Sequence, residues 1–150
     1  MGAFKNYGMF LDLIPALLLG LVLGSFASAV SWRVPRELSW SAARGKAAHS
    51  ACPSCGHRLG WADLVPFFSW LMLRGRCRYC RTAIGWRYPL IELATAAGCA
   101  AVYTVYGFSL SGAILMAALP FFVALIAIDF EHMILPDQIN LVLAGLGAGV

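Results

Sequence analysis

The sequence predicts an all-α polytopic membrane protein, a transmembrane helix bundle with a small cytoplasmic loop domain built around four cysteines, and three observations predict it. Hydrophobic residues make up 61% of the 150-residue chain and charged residues 12%, with a mean hydropathy of +0.77; a soluble domain holds roughly 45–50% apolar and about 25% charged residues. The apolar residues gather in runs close to the length that crosses a bilayer. Ten of the eleven Lys and Arg fall within residues 33–87, Lys5 being the exception.

That charge asymmetry sets an orientation. Lys and Arg concentrate in cytoplasmic loops, so residues 33–88 are expected in the cytoplasm and the N-terminus outside it. The net charge of +4 is then read as attraction to anionic headgroups of the lipid bilayer, and no nucleic-acid site is expected.

Residues 11–32 form the first span, about 22 residues that at ~1.5 Å each reach about 33 Å. A signal peptide would carry basic residues before its apolar core. Here Asp12 lies near the start and ten of the eleven basic residues follow, so residues 1–32 are read as a retained first transmembrane helix. Gly20 and Gly24 are spaced as GxxxG and continue into Ser25, Ala27, Ser28 and Ala29, a strip of small residues that lets a second helix approach closely.

Residues 33–88 read as polar, basic and rich in Gly, Pro and Cys, a loop domain too small to build a core without a staple. Further spans are expected over residues 89–106 and 111–128, joined by the short turn Gly107-Phe108-Ser109-Leu110. Pro120 removes a backbone donor in the third span, so a kink or locally opened helix is expected there. A fourth span begins after Pro136, and residues 138–150 supply only about 20 Å of helix, too short for an untilted crossing. Residues 89–150 are accordingly expected to be the start of a membrane domain truncated in its fourth span.

Cys52-Pro53-Ser54-Cys55-Gly56 and Cys77-Arg78-Tyr79-Cys80 form two C-x2-C pairs separated by 21 residues, a pattern that reads as a zinc site. Two thiolates from each tight turn can converge on a tetrahedral Zn²⁺ with sulfur at about 2.3 Å, and Gly56 permits the turn. Disulfides are the competing reading, disfavoured in a reducing cytoplasm, and an iron–sulfur cluster is a further one. His49 and His57 flank the first pair as alternative ligands. Four thiolates leave no open coordination position, so the expected zinc is structural. Cys99 lies within a span and reads as a buried apolar side chain.

Asp129 closes the apolar run 121–128 and is followed by Glu131, His132 and Asp137. Counting spans places it at the cytoplasmic end of the third. A carboxylate at the edge of hydrocarbon is costly to ionise, and an aspartyl peptidase needs two carboxyl groups that share one proton, one activating water while the other polarises the scissile carbonyl. Plainer readings stand beside this one. Asp129 and His132 are also suited to a helix end at the interface, Asp137 to capping a fourth helix, and Glu92 to the dipole at the start of the second span or to pairing with a loop Arg.

Taken together, the motifs resemble the bacterial type IV prepilin leader peptidase and N-methyltransferase family. They are Gly24-Ser25-Phe26 running to Arg33-Val34-Pro35-Arg36, the two cysteine pairs, Leu73-Arg74-Gly75-Arg76-Cys77, Trp86-Arg87-Tyr88-Pro89 with Glu92, and Asp129 through Leu135-Pro136-Asp137. The resemblance covers most of residues 20–140. It implies an inner-membrane aspartic endopeptidase that removes the short basic leader of prepilins and pseudopilins, in type IV pilus or type II secretion systems. It also implies methylation of the new N-terminus with S-adenosylmethionine. By position in the motif Asp129 would be one catalytic aspartate, with Asp137 and Glu92 in supporting positions. The family's second catalytic aspartate lies in a Gly-x-Gly-Asp motif, and Gly145-Leu146-Gly147-Ala148-Gly149-Val150 has no aspartate; residues 1–150 are therefore expected not to hydrolyse peptide bonds alone. Methyl transfer without proteolysis, and a non-catalytic zinc-organised scaffold that binds pilin helices, are the alternative functions.

Overall fold

The computed structural model describes residues 3–38 and 50–149, with side chains for residues 13–38 and 50–149. The chain runs α1 (Ala3–Arg33), α2 (Phe68–Met72), α3 (Arg87–Tyr106), α4 (Leu110–His132) and α5 (Asp137–Gly147), with 3-10 turns at Val34–Arg36 and Trp61–Asp63. No strand occurs among the described residues; two isolated bridges, Ala51 with Arg58 and Arg76 with Ala83, are the extended pairings. Leu13–Arg36, Arg87–Tyr106 and Leu110–His132 are each long and apolar enough to cross a membrane. The expected helix bundle is thus present.

Packing follows the side-chain periodicity. Along α1, Ala16, Gly20, Gly24, Ala27, Ser28 and Ser31 are buried, whereas Leu17, Leu18 and Val22 are exposed; the first set falls at helical spacing on the face that meets the other helices. The outward leucines suit lipid. A Cβ on Gly20 would stand 2.5 Å from Ala96 Cα, and one on Gly24 2.6 Å from Glu92 Cα, so these two glycines set the closeness of α1 and α3. The GxxxG strip is a helix–helix contact with a named partner. α4 covers both helices through a core that joins Ala27, Val30, Ile91, Ala124, Ile128 and Ile139.

The helix α4 passes Pro120 without interruption, so the expected local opening is absent; the proline is buried within the bundle. It also extends beyond Ile128, placing Asp129 inside the last turns, and closes at Met133, which takes a left-handed conformation (φ 53°) and donates its amide to the Asp129 carbonyl at 2.8 Å. Gly107, also at positive φ, turns the chain between α3 and α4. Ser109 then caps α4 by accepting the Gly112 amide at 3.1 Å.

Arg87 ties the boundary together. Its Nη2 donates to the Ser31 carbonyl at the end of α1 at 3.2 Å. Its Nε lies against the Glu131 carboxylate of α4, an ion pair whose N–H is not aligned as a hydrogen bond.

Candidate functional site

Two short loops related by 25 positions build the cysteine centre. In the first, the Cys52 amide donates to the His57 carbonyl (2.9 Å), the Gly56 amide to the Cys52 carbonyl (2.8 Å) and the Leu59 amide to the Ser50 carbonyl (2.8 Å). The second repeats them: Cys77 to Thr82 (2.8 Å), Arg81 to Cys77 (3.0 Å) and Ile84 to Gly75 (2.7 Å). Each loop needs a left-handed residue directly after its second cysteine; Gly56 fills that place at φ 69° and Arg81 at φ 61°. The sequence signals the first through its glycine and hides the second behind an arginine.

The four Sγ atoms of Cys52, Cys55, Cys77 and Cys80 lie within 4.8 Å of one another, and Cys52 Sγ is 3.8 Å from Cys80 Sγ. Tetrahedral coordination with metal–sulfur bonds of about 2.3 Å requires sulfur–sulfur edges of about 3.8 Å, so the donor set fits such an ion in kind and in spacing. Nothing pairs these thiols as disulfides. His57 stacks on Tyr79, ring centroids 3.6 Å apart, and is not in the cluster; His49 lies outside the described residues. The Thr82 hydroxyl, 3.3 Å from Cys80 Sγ and 3.1 Å from Ser54 Oγ, joins the two loops. The Thr82 hydroxyl and amide bring the Cys80 thiol down to about 6. At Cys55 the His57 amide pulls downward, yet desolvation and the Cys80 and Cys52 sulfurs prevail, and the thiol is pushed up to about 11.

Asp63 clamps the loops from the side. It accepts from Arg78 Nε at 2.6 Å, from the Gly60 amide at 3.1 Å and from the Tyr79 hydroxyl at 3.4 Å, with a side chain only 6% exposed. The neighbouring Arg78 guanidinium is the largest influence and holds the Asp63 carboxyl below the usual range.

Between this centre and the helices lies a cleft of about 610 Å³, lined by Ser28 and Trp32 of α1, Asp63 and Trp70 of the loop, and Tyr88 and Glu92 of α3, among others. Glu92 is 8% exposed, and its Oε2 accepts the Phe67 amide at 2.6 Å. Its partner is a backbone amide, where a loop Arg was an expectation. Phe67 sits at φ 58°, ψ −50° at the centre of a tight turn in which the Phe68 amide reaches the Pro66 carbonyl at 2.5 Å, a γ-turn that is rare and strained for a side-chain-bearing residue. Ser28 Oγ is buried and without a hydrogen-bond partner. Asp129 and Asp137 are exposed and stand apart from this cleft; Asp137 occupies the first turn of α5 and makes no side-chain cap. His132 lies 3.8 Å from Glu131.

Residues 18–106, which hold the second half of α1, both cysteine loops and α3, match the bacterial peptidase A24 N-terminal domain. The chain belongs to that family. Among relatives of this A24 N-terminal domain, a prepilin leader peptidase/N-methyltransferase of Burkholderia pseudomallei is 39% identical over 98% of this chain and 54% of its own length. Proteins of the same name from Dickeya chrysanthemi (39% identical, 93% of this chain, 56% of the relative) and Pseudomonas aeruginosa (36% identical, 87% and 51%) are similar throughout. The chain spans about half the length of these curated relatives. No solved structure matches it.

Proposed function

We propose that the protein containing this chain is a bacterial inner-membrane aspartic endopeptidase that cleaves the leaders of type IV prepilins and pseudopilins and methylates the new N-terminus. The observation that carries this reading is similarity along nearly the whole chain to proteins named prepilin leader peptidase/N-methyltransferase. In it, residues 1–32 are the first membrane helix, 33–88 a cytoplasmic loop domain organised by structural Zn²⁺, and 89–150 the start of the peptidase domain. Asp129 is one catalytic carboxylate and Asp137 supports it from the next helix start. Glu92 supports from the neighbouring cleft. A dyad that shares one proton needs a second carboxylate, and this reading takes it from outside residues 1–150.

The site-bearing ends of α3 and α4 are held in one place by the Arg87–Glu131 pair, which supports cleavage at the membrane boundary. Prepilin and pseudopilin N-terminal segments are the proposed partners. S-adenosylmethionine is the proposed methyl donor, and the cleft suits a sulfonium cation in having a buried carboxylate, Glu92, among aromatic walls.

A second reading, methyl transfer without proteolysis by these residues, is favoured by one observation: Glu92, Ser28 and the cysteine loops share a cleft that Asp129 and Asp137 do not line. Leader cleavage and methylation of an already cleaved pilin, each measured with residues 1–150 and with the full-length parent in membranes, separate the two. The first reading expects cleavage from the parent alone; methyl transfer by residues 1–150 without cleavage by the parent supports the second.

A further inference from the structure

The chain between the two cysteine loops is not uniformly polar. Residues 64–73, Leu-Val-Pro-Phe-Phe-Ser-Trp-Leu-Met-Leu, carry no charge, and α2 lies within them. Trp70 turns inward, its Nε1 donating to the Ile84 carbonyl at 3.0 Å and its ring meeting that of Trp86. The opposite side of α2 is bare: Phe68 is 50% exposed, Leu71 55% and Met72 84%. These positions are spaced i, i+3, i+4 and so share a face. Such a face is costly in water.

Its depth relative to the helices is fixed by Glu92. This residue lies five positions beyond the start of α3 at Arg87, about 7.5 Å along the helix, and α3 is 20 residues long, enough to match a hydrocarbon core of about 30 Å. The Phe67 amide, 2.6 Å from Glu92, is therefore held beside a membrane-spanning helix within about 7.5 Å of its loop-side end. Directly after α2 come Arg74 and Arg76, both exposed, the charge that complements anionic headgroups.

We propose that α2 is an interfacial anchor whose Phe68, Leu71 and Met72 side chains insert into the bilayer, seating the cysteine centre on the membrane surface. The occupant of this face is lipid, because the face is apolar and exposed, is tied through Phe67 and Glu92 to the loop-side end of a membrane-spanning helix, and is followed by cations. The inference stands on the membrane fold and is independent of the proposed enzymatic activity.

The test places the full-length protein in nanodiscs of phosphatidylcholine and phosphatidylglycerol with ¹³C-methyl methionine, the Met72 signal being assigned by Met72→Leu. Spin-labelled lipid bearing its nitroxide near the headgroup and a water-soluble gadolinium chelate are then compared as relaxation agents. Strong broadening of Met72 by the lipid label with protection from gadolinium is expected. Broadening by gadolinium alone overturns the proposal, and protection from both overturns it in favour of a protein partner or a second copy. Fluorinated phenylalanine at Phe68, assigned by Phe68→Leu, gives the same readout should the methionine variant not fold.

Discussion

The carboxylate of Glu92 accepts the amide of Phe67 at 2.6 Å, so one buried side chain of a membrane helix holds the strained turn that begins α2. A left-handed phenylalanine in such a turn costs about 1–3 kcal/mol, and a partly buried amide that loses its acceptor costs a further 1–3 kcal/mol or so. Glu92→Ala should therefore loosen the loop, seen as faster trypsin cleavage after Arg74 and Arg76. Glu92→Gln keeps an acceptor oxygen and should stay close to the parent. Equal protease resistance of the alanine variant and the parent would count against this role.

The close crossing of α1 and α3 predicts a graded response to added methyl groups. At Gly20 and Gly24 a Cβ meets backbone atoms of Ala96 and Glu92 at 2.5 and 2.6 Å, and the helices must part, at about 1–3 kcal/mol. At Gly98 it meets the movable Leu119 side chain at 3.1 Å. Thermal unfolding in detergent should show Gly20→Ala and Gly24→Ala as destabilised and Gly98→Ala as much less affected.

Arg81 predicts a gain. It occupies the left-handed position that Gly56 fills in the sister loop, and a residue with a Cβ is disfavoured there by roughly 1 kcal/mol. Arg81→Gly should raise the stability of the metal-loaded loop by up to about that amount, offset in part by the added entropy of glycine in the unfolded chain. A lower melting temperature for this variant contradicts the assignment.

The thiol environment predicts how protons leave when metal enters. Ligand cysteines bind as thiolates, and because Cys80 is brought down to about 6 while Cys55 is pushed up to about 11, the former is already deprotonated at pH 8 and the latter is not. Calorimetric titration of the metal-free protein with Zn²⁺ in buffers of different ionisation enthalpy should give fewer than four protons released per ion at pH 8, and a larger number as the pH falls towards 6. Chelation should expose four reactive thiols together, and Cys52→Ser should lower zinc content where Cys99→Ser does not.

Asp63 predicts an acid-sensitive clamp. Its carboxyl is held low by Arg78, so its stabilising contribution is complete above an ordinary carboxylate pKa of about 4 and is lost as pH falls through the depressed value. Asp63→Asn should weaken amide-exchange protection of residues 60–64 at pH 7, and the difference from the parent should shrink as the pH falls through the depressed value. A difference that persists unchanged into acid contradicts the role of charge.

The membrane helices and the cysteine pairs were legible in the sequence because each rests on a strong local signal: long apolar runs for α1, α3 and α4, and C-x2-C spacing for the cysteine cluster. Helix ends were less so. Apolarity marks the edge of hydrocarbon, and α4 continues through Asp129, Phe130, Glu131 and His132 into the boundary before Met133 ends it. Averaging over residues 33–88 concealed the uncharged stretch around α2, whose ten residues were in plain view. The twinning of the loops was hidden because Arg81 carries no turn signature. The partners of Glu92 and Arg87, a distant backbone amide and the last turn of α4, depend on how the helices meet, which no local pattern reports.

The most direct test of the functional account is leader cleavage of a prepilin in membranes by the full-length parent carrying Asp129→Asn, beside the unchanged parent and a control at the exposed Glu37, Glu37→Gln. The account predicts that Asp129→Asn abolishes cleavage while the protein still inserts and retains its zinc, and that Glu37→Gln, which keeps every aspartate, still cleaves. Cleavage by the Asp129→Asn protein at the parent's rate would contradict it and remove Asp129 from the chemistry.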